Sequence, residues 1–309
     1  MATHQDAPIG VFDSGVGGLT VTRALVDRLP RESILYFGDT ARVPYGNKSP
    51  ETIRRYGLNV TAHLRAAGVK AIVVACNTAS AFSLDAIRLA GDRLVGDIPA
   101  GDQLAGDRLD GDRLDGDRLD GDIPAGSIPV LGVIEPVARI AALRSASRSI
   151  GVIGTRGTVT SGAYTRALLA LDPGLTVQAH PCPLFVPLAE EGWLKGSVPR
   201  EIARSYLAPF ADTDVDTLIL GCTHYPLLRE VIQAAIDEIV GRPILVLDSA
   251  LATAAELHDL LDAQGLLRPA EGGPEPVHRC LVTDSVAAFH PIAERFFGAP
   301  LGRVEHVDL

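Results

Sequence analysis

The 309-residue chain lacks the features that would set it in a membrane, on nucleic acid or within a disulfide framework. No stretch approaches the roughly 18 consecutive apolar residues that a bilayer span requires. The opening residues MATHQDAPIGVFDSG hold no basic stretch followed by an apolar one, so a cytoplasmic location is expected. Basic residues are in deficit, 28 Lys and Arg against 38 Asp and Glu. The resulting net charge of −10 argues against direct nucleic-acid contact, which needs a basic patch. Only four cysteines are present, Cys76, Cys182, Cys222 and Cys280, and none forms a CxxC pair. In a reducing compartment such thiols are buried apolar residues or reactive groups, not bridges. The Gly-rich run DSGVGG at 13–18 has neither the GxGxxG spacing nor the lysine of a P-loop, which argues against a nucleotide site. Usual zinc-ligand spacings are also missing around His180, Cys182, Cys222 and His224, so no zinc site is expected.

What is present is an ordinary globular composition, 47% apolar and 21% charged, in a chain long enough for two domains. Short β-rich runs fall at 9–12, 34–37, 71–74, 130–133, 150–153, 217–220, 244–247 and 280–282. Amphipathic helical stretches alternate with them, at 19–29, 53–67, 158–171 and 227–240. Ser49-Pro50-Glu51 reads as a helix start, with a capping hydroxyl and proline in the first turn. This alternation predicts an α/β fold built on mostly parallel sheets covered by helices on both faces. Two domains are expected, 1–129 together with 243–309, and 130–242.

Residues 91–126 break the pattern with pentads such as GDRLD and GDIPA. Their ten Asp and four Arg carry −6 of the net charge. Glycine at every fifth position costs backbone entropy, and one Leu or Ile per pentad buries little surface. A mobile, solvated insertion is the expectation; a short stacked coil is the alternative.

The most informative feature is an internal echo. Ile9-Gly-Val-Phe-Asp-Ser-Gly is matched by Ile150-Gly-Val-Ile-Gly-Thr-Arg, and Ile72-Val-Val-Ala-Cys-Asn-Thr by Leu218-Ile-Leu-Gly-Cys-Thr-His. The spacing from Gly10 to Cys76 is 66 residues, and from Gly151 to Cys222 it is 71. A duplicated unit therefore presents one thiol per half at the carboxyl end of a parallel strand, where open α/β sheets bind ligands. The free N–H groups of a following helix favour anions and lower a thiol's pKa. Either cysteine alone could be a small core residue; the pair points to chemistry.

Two like groups on opposite faces of a stereocentre can invert it by exchanging the roles of acid and base. Near-attack geometry puts such sulfurs roughly 7 Å apart, too far for a disulfide. Asp13 is the acid/base candidate beside Cys76, and His224 is placed to orient or titrate Cys222.

The segments at 13–20 (DSGVGGLT), 36–46 (YFGDTARVPYG), 75–80 (ACNTAS), 132–136 (GVIEP) and 221–228 (GCTHYPLL) together resemble glutamate racemases. The resemblance implies two pseudo-symmetric α/β domains with the active site in the cleft between them. It also implies cofactor-independent racemisation of glutamate by two thiols, supplying D-glutamate for peptidoglycan. In that family the cysteine matching Cys76 takes the α-proton from D-glutamate and the one matching Cys222 takes it from L-glutamate. Asp13 and His224 resemble the helpers of these thiols, and Glu190 a further acidic helper, with Glu191 as its adjacent competitor. Substrate contacts are implied at Asp13, Ser14, Tyr45, Gly46, Asn77, Thr78, Thr155, Thr223 and His224. Aspartate racemases, which share the plan, typically carry Glu where His224 stands; a racemase of aspartate or another amino acid, or a related decarboxylase, is the alternative. The family usually forms homodimers, and some members restrain DNA gyrase, so a partner-binding protein on the same scaffold is the rival from a different class.

Overall fold

The computed structural model describes residues 4–91, 128–269 and 274–309. Apart from Gly91, the pentad insert lies outside the described residues. The first half opens with β1 (Ile9–Asp13), α1 (Leu19–Arg28), β2 (Ile34–Gly38), α2 (Pro50–Ala66), β3 (Ala71–Val74) and α3 (Asn77–Gly91). Beyond the insert come β4 (Val130–Gly132), α4 (Ile134–Arg144), β5 (Ser149–Gly154), α5 (Arg156–Ser161) and α6 (Ala163–Leu171). They are followed by β6 (Thr176–Pro181), α7 (Phe185–Glu190), α8 (Ser197–Leu207), β7 (Thr217–Gly221), α9 (Arg229–Val240), β8 (Leu245–Asp248) and α10 (Ser249–Ala263). The chain ends with β9 (His278–Val282), α11 (Val286–Phe297) and β10 (Arg303–His306).

Two parallel sheets result, ordered β10-β9-β2-β1-β3-β4 and β6-β5-β7-β8. The inner strands β1, β3, β5 and β7 are buried throughout, as strands covered on both faces must be. Their continuous apolar runs are the reason they could be read from sequence. β6 (TVQAHP) and β10 (RVEH) could not, because each is a partly exposed edge strand that needs no such run.

The sequence echo has a direct counterpart in the topology. Order β2-β1-β3-β4 in the first sheet repeats as β6-β5-β7-β8 in the second. The register repeats too, with Gly10 opposite Ile72 and Gly151 opposite Leu218. Cys76 and Cys222 each stand four residues beyond those partners, at the same place in the two halves. Sheet membership runs one strand past the expected division at each crossing. Residues 130–132, expected in the second domain, pair with β3 in the first sheet. Residues 245–248, expected in the first domain, pair with β7 in the second sheet. The crossings are made by helices: α4 and α10 pack on each other, and α10 lies against α1.

Two helices start or break where backbone chemistry dictates. Ser49 Oγ accepts the Thr52 N–H at 3.3 Å, capping α2 with Pro50 in its first turn. The single helix expected at 158–171 is instead α5 and α6, divided at Gly162, whose φ of +67° a side-chain-bearing residue rarely adopts.

Candidate active site

The loops after β1, β3, β5 and β7 converge between the two sheets and carry most of the residues singled out from sequence; Tyr45 and Gly46 follow β2, and Glu190 ends α7. Asp13 ends β1 and is 1% exposed; its Oδ2 accepts the Gly15 N–H at 2.8 Å, while Oδ1 has no hydrogen-bond partner among the described residues. Burial raises the Asp13 carboxyl, and the Gly15 N–H and the His224 charge only partly oppose it.

Cys76 caps α3. Its Sγ accepts the Ala79 N–H at 3.4 Å and lies 3.5 Å from the Ser14 hydroxyl. Burial pushes this thiol up to about 12, with a further upward push from the charge of Asp13. The expected lowering by the helix N-terminus is present in the Ala79 contact, but loss of solvation outweighs it.

The second thiol has the opposite company. Cys222 Sγ lies 3.9 Å from His224 Nδ1, and His224 Nε2 lies 2.9 Å from Glu190 Oε1. Burial alone would lower the imidazole; its contacts with Cys222 and Glu190 instead raise it to about 10. One thiol therefore faces a carboxyl group and the other an imidazolium. All four cysteines are free thiols.

A third cluster bridges the halves. Thr78 Oγ1 lies 3.0 Å from Thr155 Oγ1 and 3.1 Å from Thr158 Oγ1, and Thr155 caps α5 by accepting the Thr158 N–H. Asn77 Nδ2 donates to Tyr164 Oη at 2.8 Å, and its buried Oδ1 has no hydrogen-bond partner among the described residues. Gly46 sits against Thr155, where a Cβ would stand 3.0 Å from the threonine Cβ. A cavity of about 410 Å³ opens beside this contact, with Lys48 and Arg156 among its lining residues.

Comparison with known proteins fits this arrangement. Residues 124–257 match the Asp/Glu/Hydantoin racemase family. Glutamate racemase from Geobacter metallireducens is 44% identical, covering 97% of this chain and 96% of its own. That from Syntrophus aciditrophicus is 43% identical over 98% of this chain and 97% of its own. The chain belongs to the glutamate racemase family.

Solved racemases share the architecture as well as the sequence. The Francisella tularensis glutamate racemase, in complex with D-glutamate, superimposes with a TM-score of 0.80 at 33% identity, covering 98% of each chain. The Thermus thermophilus glutamate racemase, in complex with β-chloro-D-alanine, gives 0.78 at 44% identity, covering 99% of this chain and 98% of that one.

Within the candidate site, geometry separates residues that sequence could not. Glu190, not Glu191, meets His224; Glu191 is exposed. Tyr45 is buried and spends its hydroxyl on Asp39 Oδ2 at 2.6 Å, so its reach into the site is through the adjoining Gly46 backbone. Thr223 contributes its carbonyl oxygen to Thr20 Oγ1 at 3.1 Å, a contact between the halves. Thr20, Thr158 and Tyr164 were not singled out from sequence. Thr20 and Thr158 could have been, since they close the DSGVGGLT run and the first turn after the Thr155 cap. Tyr164 carries no local signal, because its partner Asn77 is 87 residues away.

Proposed function

We propose that the chain interconverts L- and D-glutamate by moving the α-proton between Cys222 and Cys76, without a cofactor. One observation supports this above the rest: two thiols at equivalent strand ends of a repeated unit have chemically opposite helpers. A Cys222 thiolate beside the His224 imidazolium takes the α-proton of L-glutamate. The C–H electron pair stays on the α-carbon and spreads into the adjacent carboxylate. Cys76, held as a neutral thiol by burial, then delivers its proton to the other face. For D-glutamate the roles reverse, with Asp13 assisting Cys76.

The remaining residues supply binding and charge stabilisation. Asn77 Oδ1 and Asp13 Oδ1 are buried acceptors suited to a substrate ammonium group. Hydroxyls of Ser14, Thr78, Thr155 and Thr223, with the backbone of Gly46, suit its carboxylates. A thiolate mismatched to the α-proton by about ten pKa units must have about 14 kcal/mol offset. Preorganised donors at the carboxylate that takes up the carbanion charge are the natural source. His224, where aspartate racemases typically carry Glu, favours glutamate over aspartate.

The test is racemisation followed by circular dichroism, with α-proton exchange in deuterated water, for Cys76→Ser and Cys222→Ser. Each should lose racemisation by about 10²–10⁴-fold. Either variant racemising at the unmodified rate ends the two-thiol reading, and faster turnover of D-aspartate than of D-glutamate ends the substrate assignment. The reading includes a cytoplasmic homodimer supplying D-glutamate for peptidoglycan. Among the described residues no helix is long and apolar enough to cross a membrane. Sedimentation tests the dimer, and a supercoiling assay tests the DNA gyrase contact that the family resemblance suggests.

A further inference from the structure

Helix α11 belongs to the first half of the molecule, where it packs on α1 and β10 and Arg23 of α1 lies 5.8 Å from the Phe297 ring. Its last turn nevertheless reaches the second half. Arg295 Nη1 donates to the carbonyl oxygen of Glu190 and, at 3.4 Å, to that of Ala189. These carbonyls close α7, the helix that carries Glu190, so a cation sits at the negative end of the helix. The guanidinium lies against Gly192, whose φ is +76° and whose Cβ, if added, would stand 3.0 Å from Arg295 Cζ. The next residue, Phe296, is buried and packs edge-on against the His224 ring, centroids 4.9 Å apart.

His224 and Glu190 are thus held twice from across the cleft, one through its ring and the other through its backbone. A ring tethered only by its contacts to Glu190 and Cys222 retains freedom to tilt; an aromatic wall and a clamped partner remove it. Among the described residues, the hydrogen-bond contacts of the other thiol are Ser14 and Ala79 of its own half, and the bonds from the opposite half fall on its neighbours Asn77 and Thr78. We infer that Arg295 and Phe296 are positioning residues for the Cys222 half of the reaction, clamping the His224–Glu190 pair from the opposite domain.

This inference rests on the racemase reading above, and the experiment separates the two. Each enantiomer of 3-chloroglutamate needs only one base. The α-proton passes to a thiolate, the C–H electron pair forms the double bond, and chloride leaves with the C–Cl pair. Whichever enantiomer Cys222→Ser fails to process defines the Cys222 half. Arg295→Met and Phe296→Leu should slow that enantiomer by about tenfold or more, because small misplacements of an acid/base group are costly. The other enantiomer should stay within about twofold of wild type, which also shows that the fold is intact. Arg295→Lys, still able to donate to the two carbonyls, should restore much of the loss. Equal loss for both enantiomers in Arg295→Met and Phe296→Leu, or loss for neither, overturns the clamp. Failure of the wild type to eliminate from either enantiomer overturns the racemase reading and the clamp with it.

Discussion

A Cβ added to Gly17 would stand 2.1 Å from Oγ1 of Thr223 and 2.5 Å from His224 Nδ1, so bare backbone is what lets the two loops close on each other. The same loops are tied by the Thr20 hydroxyl, which donates to the carbonyl oxygens of Thr223 at 3.1 Å and Gly17 at 2.9 Å. Both contacts lie beside the helper of the second thiol. Gly17→Ala therefore forces the Cys222 loop away from the first half. The expected result is a fall in kcat/KM of about 100-fold with the far-ultraviolet spectrum unchanged. Because enantiomers have equal free energy, kcat/KM must fall equally in both directions. A variant within twofold of wild type, on the order of an ordinary surface change, would show that the loop contact does not position Cys222.

His224 gives a prediction in pH. Its imidazole is raised from 6.5 to about 10 in the folded protein, burial opposing the shift and the Cys222 and Glu190 contacts producing it. Between these values the folded chain holds a proton that the unfolded chain has released. The stabilisation is then complete below pH 6.5 and is lost as pH rises towards 10. Thermal melts across pH 6.5–10 should fall more steeply for the wild type than for His224→Asn. Parallel slopes would show that the proton is not held.

Much of this site was legible because the chemistry sits at the ends of buried strands. The runs leading to Asp13, Cys76 and Cys222 are apolar and β-rich, and each is followed by polar residues. The edge strands β6 and β10 were not legible, because partial exposure lets TVQAHP and RVEH remain polar. Sheet membership passes each expected domain division by one strand for a related reason: each crossing follows a strand that completes its sheet, and the pattern of a short strand does not say which sheet it joins. Contacts between the halves left no local trace. Arg295 and Glu190 are 105 residues apart, and only the folded chain brings them together. For Cys76 the helix terminus that lowers a thiol is visible in sequence, and the depth of burial that outweighs it is not.

Tyr45, which the family resemblance implies as a substrate contact, has its hydroxyl engaged within the fold. Its hydroxyl donates to Asp39 Oδ2 at 2.6 Å, and Asp39 is fully buried. Asp39 also accepts from Thr283 at 3.0 Å, so the carboxylate joins the Gly46 loop to the strand end of β9. Tyr45→Phe leaves a buried carboxylate short of one donor and should cost about 1–3 kcal/mol in urea unfolding. KM should rise less than stability falls, because the ring and the Gly46 backbone remain. A large KM effect at unchanged stability would instead place the hydroxyl on the substrate.

Lys70 is the sharpest test that stability and catalysis are separable here. Its side chain is fully buried, its Nζ lies 2.5 Å from Glu32 Oε2, and it donates to the carbonyl oxygens of Gln5 at 2.7 Å and Leu266 at 2.8 Å. Glu32 is itself 2% exposed and accepts the Arg268 N–H at 2.9 Å through Oε1. Lys70→Met strands a buried carboxylate, and breaking a pair of this kind costs about 3–5 kcal/mol. Adding Glu32→Leu removes the stranded charge and should recover part of that loss. Recovery stays incomplete, because the Gln5 and Leu266 carbonyls and the Arg268 N–H keep no partner, each worth roughly 1 kcal/mol. Lys70 precedes β3 while Cys76 follows it, about 20 Å away at strand rise per residue. Below the unfolding transition kcat should therefore be unchanged in both variants. A fall in kcat at temperatures where the protein remains folded would mean that the Lys70 cluster reaches the thiols through β3.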